Sequence, residues 1–214
     1  MPVHLEIHWH LIDSPFYQQV LSEEWIWSTA QPAVIADQPT RVLGLEAQIL
    51  HLCAHMLLHH RKPSQLWLHD LAELLVRFGW QLDGEDLLAR AQDVHLVLPL
   101  QVALPRVVAG WRLPVPGPAV LARLQDLTPS PQEQRIFGWL TSSHRPVAQR
   151  FYVDLLSLPA WHDRLRYALV HLFPDPGYMT KRYHIPHPGL VPLYYPYRWA
   201  LGMHSLYRTL RRRT

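Results

Sequence analysis

Residues Val3 to Leu11 alternate without a break. Val3, Leu5, Ile7, Trp9 and Leu11 are apolar, and His4, Glu6, His8 and His10 stand between them. Successive strand side chains point to opposite faces, so the pattern predicts a half-buried β-strand with one carboxylate and three imidazoles on its other face. A lone strand leaves its edge hydrogen bonds unmet. No second strand of comparable pattern follows, so either the fold includes a small sheet not legible in the sequence or the partner strands lie on a segment outside these 214 residues.

The helices follow from periodicity and caps. Asp13-Ser14-Pro15 is a start signal, predicting a helix over 15–29 with Phe16, Val20 and Trp27 buried. Gln31 to Thr40 carries two prolines and reads as a loop, and Arg41 to Leu43 as a short extended segment before Gly44. Leu45, Ile49, Leu52, Cys53 and Met56 form one apolar stripe of a helix over 45–60. His51, His55 and His59 recur every four residues along its flank. After Arg61-Lys62-Pro63, Ser64 caps a helix over 65–78 that buries Trp67, Leu68, Leu71, Leu75 and Phe78. A short connection between two apolar stripes implies an antiparallel pair. Asp83 caps a helix to Asp93. The helical pattern over 96–111 is interrupted by Pro99 and Pro105, which predict a kink or a split. Further helices are expected at 119–126, 131–142, 145–157 and 160–172, and a last one over 198–211. Residues 178–197 show no clear period. The expected class is α+β, mostly α: strand 3–11 as the remnant of a small sheet, followed by a multi-helix bundle of eight or nine helices.

Composition excludes several function classes. With 49% hydrophobic and 17% charged residues, a 214-residue chain has ample core and no signature of disorder. Cys53 is the single cysteine, so neither a disulfide framework nor a Cys-x-x-Cys zinc site is available. Glu6 and three histidines interrupt the first ten residues, so no secretory signal is expected, and no apolar run reaches the ~18 residues of a membrane helix. A cytoplasmic protein with no membrane partner is the expectation. The formal charge of +3 is mild, although Arg208, Arg211, Arg212 and Arg213 crowd the C-terminus. Tyr178, Lys181, Arg182, Tyr183, His184 and His187 form an aromatic and basic segment. It suits either stacking on nucleotides or packing of a C-terminal tail onto helices, the second being favoured, with nucleic acid not the expected partner. No Gly-x-Ser-x-Gly elbow, phosphate loop or dinucleotide fingerprint occurs.

Three stretches together resemble a bacterial family of uncharacterised nucleotidyltransferases: Leu5-Glu6-Ile7-His8-Trp9-His10-Leu11, the pair Leu50–His55 and Leu66–Leu71, and the run Leu165 to Met179 followed by Arg182-Tyr183. That family resembles the polymerase-β nucleotidyltransferase fold. The resemblance implies transfer of a nucleoside monophosphate from a nucleoside triphosphate to an acceptor, with Mg²⁺ held by paired aspartates and a third carboxylate. Glu6 matches the third carboxylate, the one catalytic and metal-ligating candidate. His8, His55, His59, Lys62 and Asp70 are the substrate-binding candidates, with His55 and Asp70 as a polar seam between helices. The departure is that no Gly-Ser turn followed by Asp-x-Asp occurs in the 214 residues. Residues 1–44 are therefore expected to be the C-terminal part of a catalytic domain and 45–214 a helical domain. One glutamate cannot position two ions, so the chain is expected to be inactive alone, and active only with a complementing N-terminal segment. Edge pairing of the strand into a homodimer is a further expectation. Two alternatives stay open: a non-catalytic helical module for a protein or nucleotide partner, and a histidine-rich metal-binding protein.

Overall fold

The computed structural model describes residues 10–59, 65–114, 117–141 and 147–211. The chain divides into two compact units, Met1–Ser143 and His144–Thr214. Among the described residues there are twelve α-helices and one two-stranded antiparallel sheet, so the protein is α+β and mostly helical.

Most of the expected strand over 3–11 lies outside the described residues. Its described end is a bend at His10–Ile12, which corrects the strand's C-terminal limit. The helix expected over 15–29 is two helices, α1 (Pro15–Val20) and α2 (Glu23–Thr29). Leu21 is extended at φ −82°, ψ 105°, and the Ser22 side chain accepts the Trp25 N–H, so Ser22 starts a second helix. Phe16 is buried as expected, whereas Trp27 is 61% exposed.

The stretch read as a loop is a hairpin. Strand β1 (Gln31–Ile35) pairs with β2 (Gln38–Val42), from Gln31 opposite Val42 to Ile35 opposite Gln38. Its two-residue turn puts Ala36 at φ 49° and Asp37 at φ 61°, the two positive values of a type I′ turn. Gly44 follows where the chain passes the end of α2. A Cβ there would lie 2.7 Å from the Thr29 carbonyl oxygen, so only glycine fits that crossing.

Helix α3 (Leu45–Ala54) continues as a π-helical turn over His55–His59. Helix α4 (Gln65–Phe78) matches its expected span; Leu71 and Leu75 are buried, while Phe78 is exposed, because it sits in the last turn beside the exposed Trp80. Asp83 caps α5 (Gly84–Asp93) by accepting the N–H groups of Glu85 and Asp86. His95 then takes the left-handed conformation at φ 56°, with Leu96 N–H on Ala91 O and His95 N–H on Gln92 O, a Schellman ending. Helix α6 (Val97–Trp111) is not split by its prolines. Pro99 lies in the first turn, where its missing N–H costs nothing. Pro105 leaves the Gln101 carbonyl without its helical donor, and Gln125 Nε2 approaches that oxygen at 3.5 Å. Helices α7 (Pro118–Asp126) and α8 (Pro131–Thr141) complete the described part of this unit.

The core of the first unit gathers Phe16, Ile49, Cys53, Met56, Leu71 and Leu100 with their neighbours from α1 and α3 to α8. Burial pushes the Cys53 thiol up to about 12, so it is inert packing material as its apolar stripe implies.

The second unit holds α9 (Val147–Ser157), α10 (Trp161–Leu172), α11 (Pro176–Tyr183) and α12 (Val191–Arg211), and α11 and α12 contribute to a small cluster of Met179, Ile185 and Val191. Residues 178–197, without clear period in sequence, hold α11 and the first turns of α12. Tyr183, Tyr194 and Tyr195 pack against the cluster, so part of the aromatic segment is packing. Trp199 Nε1 donates to Leu172 O at 2.9 Å and Tyr195 OH to Pro174 O at 2.8 Å, tying α12 to the end of α10.

Candidate functional site

A cavity of about 470 Å³ opens between the His10–Ile12 bend, α1, α2 and the end of β2. Its wall is mainly apolar, with Leu21, Ile26, Trp27 and Val42, and its polar members include His10, Gln18, Glu23 and Arg41. A mainly apolar wall with a few fixed polar groups is the usual make-up of a small-molecule site, and the volume lies in the ordinary range of ~300–1,000 Å³.

The polar groups are held in place by backbone. Arg41 Nη2 donates to Trp27 O at 3.1 Å and Ala30 O at 2.9 Å, which satisfies carbonyls at the end of α2 and fixes the guanidinium at the cavity wall. Gln18 Nε2 donates to Asp13 O at 3.1 Å. Tyr17 lines the cavity but spends its hydroxyl on His95 O at 3.0 Å, and burial drives its phenol far above the usual range.

Beside the bend, Asp13 Oδ2 lies 3.1 Å from His59 Nδ1. His59 stacks on His55, with ring centroids 5.1 Å apart and planes 9° apart, and His55 meets His51 at 5.6 Å and the edge of Trp67 at 6.0 Å. The π turn holds this stack: such turns occur mostly as single insertions in α-helices, frequently at functional sites. A carboxylate beside one ring nitrogen orients the imidazole and lets the other nitrogen hold or pass a proton.

The structure thus joins His55 and His59 and supplies an acidic partner that sequence reasoning missed, Asp13. Asp70 is exposed on α4 and has no hydrogen bond or ion pair among the described residues, so it is not the residue that closes a seam with the histidines. Glu6, His8 and Lys62 lie outside the described residues. Among the described residues, no group of three or more His, Cys, Asp or Glu side chains is placed to hold a metal ion. Those residues therefore do not fit a Mg²⁺ site, nor do His51, His55 and His59 make a three-ligand site for a metalloprotein.

A further polar group, this one buried, sits on α8. Glu133 on α8 is buried, and its Oε1 accepts the Leu98 N–H at 2.6 Å at the start of α6. Ser130 Oγ accepts the Glu133 N–H at 3.1 Å and meets His95 Nδ1 at 3.0 Å. Burial pushes the Glu133 carboxyl up to about 7, against the opposing pull of the Leu98 and Val97 N–H groups. Ser130-Pro131-Gln132-Glu133 has capping-box spacing, which locates the helix start; in the fold Glu133 reaches across to another helix instead.

Comparison with known families places the chain in the nucleotidyltransferase class: a family model described as uncharacterised nucleotidyltransferase matches residues 1–108. The chain belongs to that uncharacterised nucleotidyltransferase family. The match takes in the cavity and the Asp13–His59 pair and ends inside α6, so the run from Leu165 to Met179 lies beyond it. Among curated proteins and among solved structures, none matches the chain.

Proposed function

We propose that this chain serves nucleotidyl transfer by holding the acceptor, and that it transfers no nucleotide on its own. The cavity carries this reading. It begins at His10, four residues after Glu6 in the same motif, and lies within the part of the chain that matches the family. A pocket directly downstream of the candidate third carboxylate is where an acceptor would be presented to a nucleoside triphosphate. Arg41 in the cavity wall would orient it, with the Asp13–His59 pair standing beside the adjoining His10–Ile12 bend.

Mg²⁺ supplies charge neutralisation of the triphosphate and activation of the acceptor oxygen in such reactions, and it needs two or three carboxylates. The sequence offers Glu6 without an Asp-x-Asp partner. The remaining carboxylates would come from a complementing segment, acting in the cytoplasm. What this chain's own residues do is bind and position: the apolar wall excludes water from the acceptor, Arg41 takes its polar end, and Asp13 orients the His59 imidazole.

The test is incubation of the purified 214-residue chain with labelled nucleoside triphosphates, Mg²⁺ and a panel of hydroxyl acceptors. No transfer is expected, with the Glu6→Ala variant indistinguishable. Transfer by the chain alone that disappears in Glu6→Ala would overturn the proposal.

A further inference from the structure

Charge is divided sharply between the two units. His144–Thr214 holds eleven Lys and Arg against three Asp and no Glu, a formal net charge of +8, whereas the rest of the chain bears −5. The three acids are engaged locally. Asp154 is buried and accepts the Tyr167 hydroxyl, Asp163 lies beside His162, and Asp175 caps α11 through the Gly177 and Tyr178 N–H groups. Eleven cations against three acids give this unit a net positive charge suited to an anionic partner.

The same unit exposes apolar side chains in helical register. Helix α10 buries no residue at all, and Trp161 (73% exposed), Leu165, Leu169 and Leu172 recur along one face at spacings of four, four and three. On α12, Leu193 (70% exposed), Tyr197 and Leu201 repeat every four residues, with Met203 and Tyr207 exposed beyond them. Exposed apolar faces of this kind mark interaction surfaces. No helix among the described residues is long and apolar enough to cross a membrane, so these faces would lie along a surface rather than span it.

We infer that the His144–Thr214 unit docks on an anionic phospholipid surface through the apolar stripes of α10 and α12, with its Lys and Arg excess attracted to the headgroup phosphates. Charge complementarity and side-chain type select this occupant. Five of the seven stripe residues are leucines, which have no π-face to stack on nucleobases but bury readily at the acyl boundary. Trp161 and Tyr197 are the residue types that sit at headgroup level. The proposal concerns a unit outside the family-matched residues and is independent of the acceptor-binding role.

Flotation of the full 214-residue chain tests it, using vesicles of phosphatidylcholine mixed with phosphatidylglycerol and vesicles of phosphatidylcholine alone. The chain is expected to float with the anionic vesicles, to bind neutral ones at least ~tenfold more weakly, and to dissociate as salt is raised. The double variants Leu165→Glu/Leu169→Glu and Leu193→Glu/Leu201→Glu should each weaken binding at least ~tenfold with helical circular dichroism unchanged, since the replaced side chains are exposed. Absence of flotation, equal binding to neutral vesicles, or variants that bind like the parent chain would overturn it. So would binding to an RNA oligonucleotide in place of vesicles, or a dimer dissolved by the same substitutions with no vesicle binding.

Discussion

Glu133 Oε1 accepts the Leu98 N–H at 2.6 Å, so a carboxylate from α8 serves as the missing cap of α6. The Leu96 position that precedes α6 supplies no side-chain cap of its own. In the fold this carboxyl titrates at about 7 instead of 4.5, because burial outweighs the two N–H groups that favour its charge. Between those values the folded chain binds more protons than the unfolded chain. Its contribution is fully present below 4.5 and is lost as pH rises through about 7. Glu133→Gln keeps an acceptor oxygen for Leu98 and removes the charge. Thermal melts across this window should show the parent chain losing stability relative to Glu133→Gln as pH rises. Parallel curves would contradict the assignment.

Arg41 bridges two carbonyls with one nitrogen, Trp27 O and Ala30 O, and so joins the hairpin to the end of α2. Arg41→Ala removes both bonds and is expected to cost about 1–2 kcal/mol, the lower range for charge-assisted bonds at a partly exposed site. Arg41→Lys should recover less than half of that, because an ammonium on a flexible stem lacks the planar fork. Urea unfolding of the three chains measures both, and full recovery by lysine would show that charge alone matters.

Legibility in the sequence tracked the range of the interactions involved. Helix α4 was readable to its boundaries from its own stripe, and α5 from the local cap of Asp83. The histidines at 55 and 59 were readable as an i,i+4 pair on one helix flank. Their acidic partner was not, because Asp13 lies 46 positions before His59 and only the packed fold brings the two within 3.1 Å. Glu133 was hidden for the same reason: its spacing from Ser130 is a local signal, and its bond to Leu98 crosses 35 residues. The hairpin was misread because its strands contain Pro32 and Pro39, and its turn offers Ala-Asp where glycine or asparagine would announce positive φ.

The Asp13–His59 pair is half-exposed on both sides, so solvent screens it and its worth to folding is small. Asp13→Asn is expected to change stability by no more than about 1 kcal/mol in chemical denaturation. A loss well beyond that would show that the pair supports the His10–Ile12 bend structurally. Under the acceptor-binding proposal its weight falls on orientation of the imidazole, so acceptor affinity should respond to Asp13→Asn more than stability does.

The turn of the hairpin holds strain that substitution can release. Ala36 and Asp37 both sit at positive φ, and alanine there places its Cβ against the following carbonyl. Asparagine followed by glycine is the pair that a type I′ turn favours, since asparagine tolerates the left-handed region and glycine has no Cβ. The double variant Ala36→Asn/Asp37→Gly keeps every cross-strand partner from Gln31–Val42 to Ile35–Gln38 and changes only the turn. Gain from relieved strain at Ala36 should exceed the entropy that glycine adds to the unfolded chain, giving a net stabilisation of about 1 kcal/mol. Because the hairpin carries Arg41 and the Val42 wall of the cavity, slower amide exchange at Thr40 to Val42 should accompany the gain. Unchanged exchange together with unchanged stability would show that the strands, not the turn, set the hairpin's conformation.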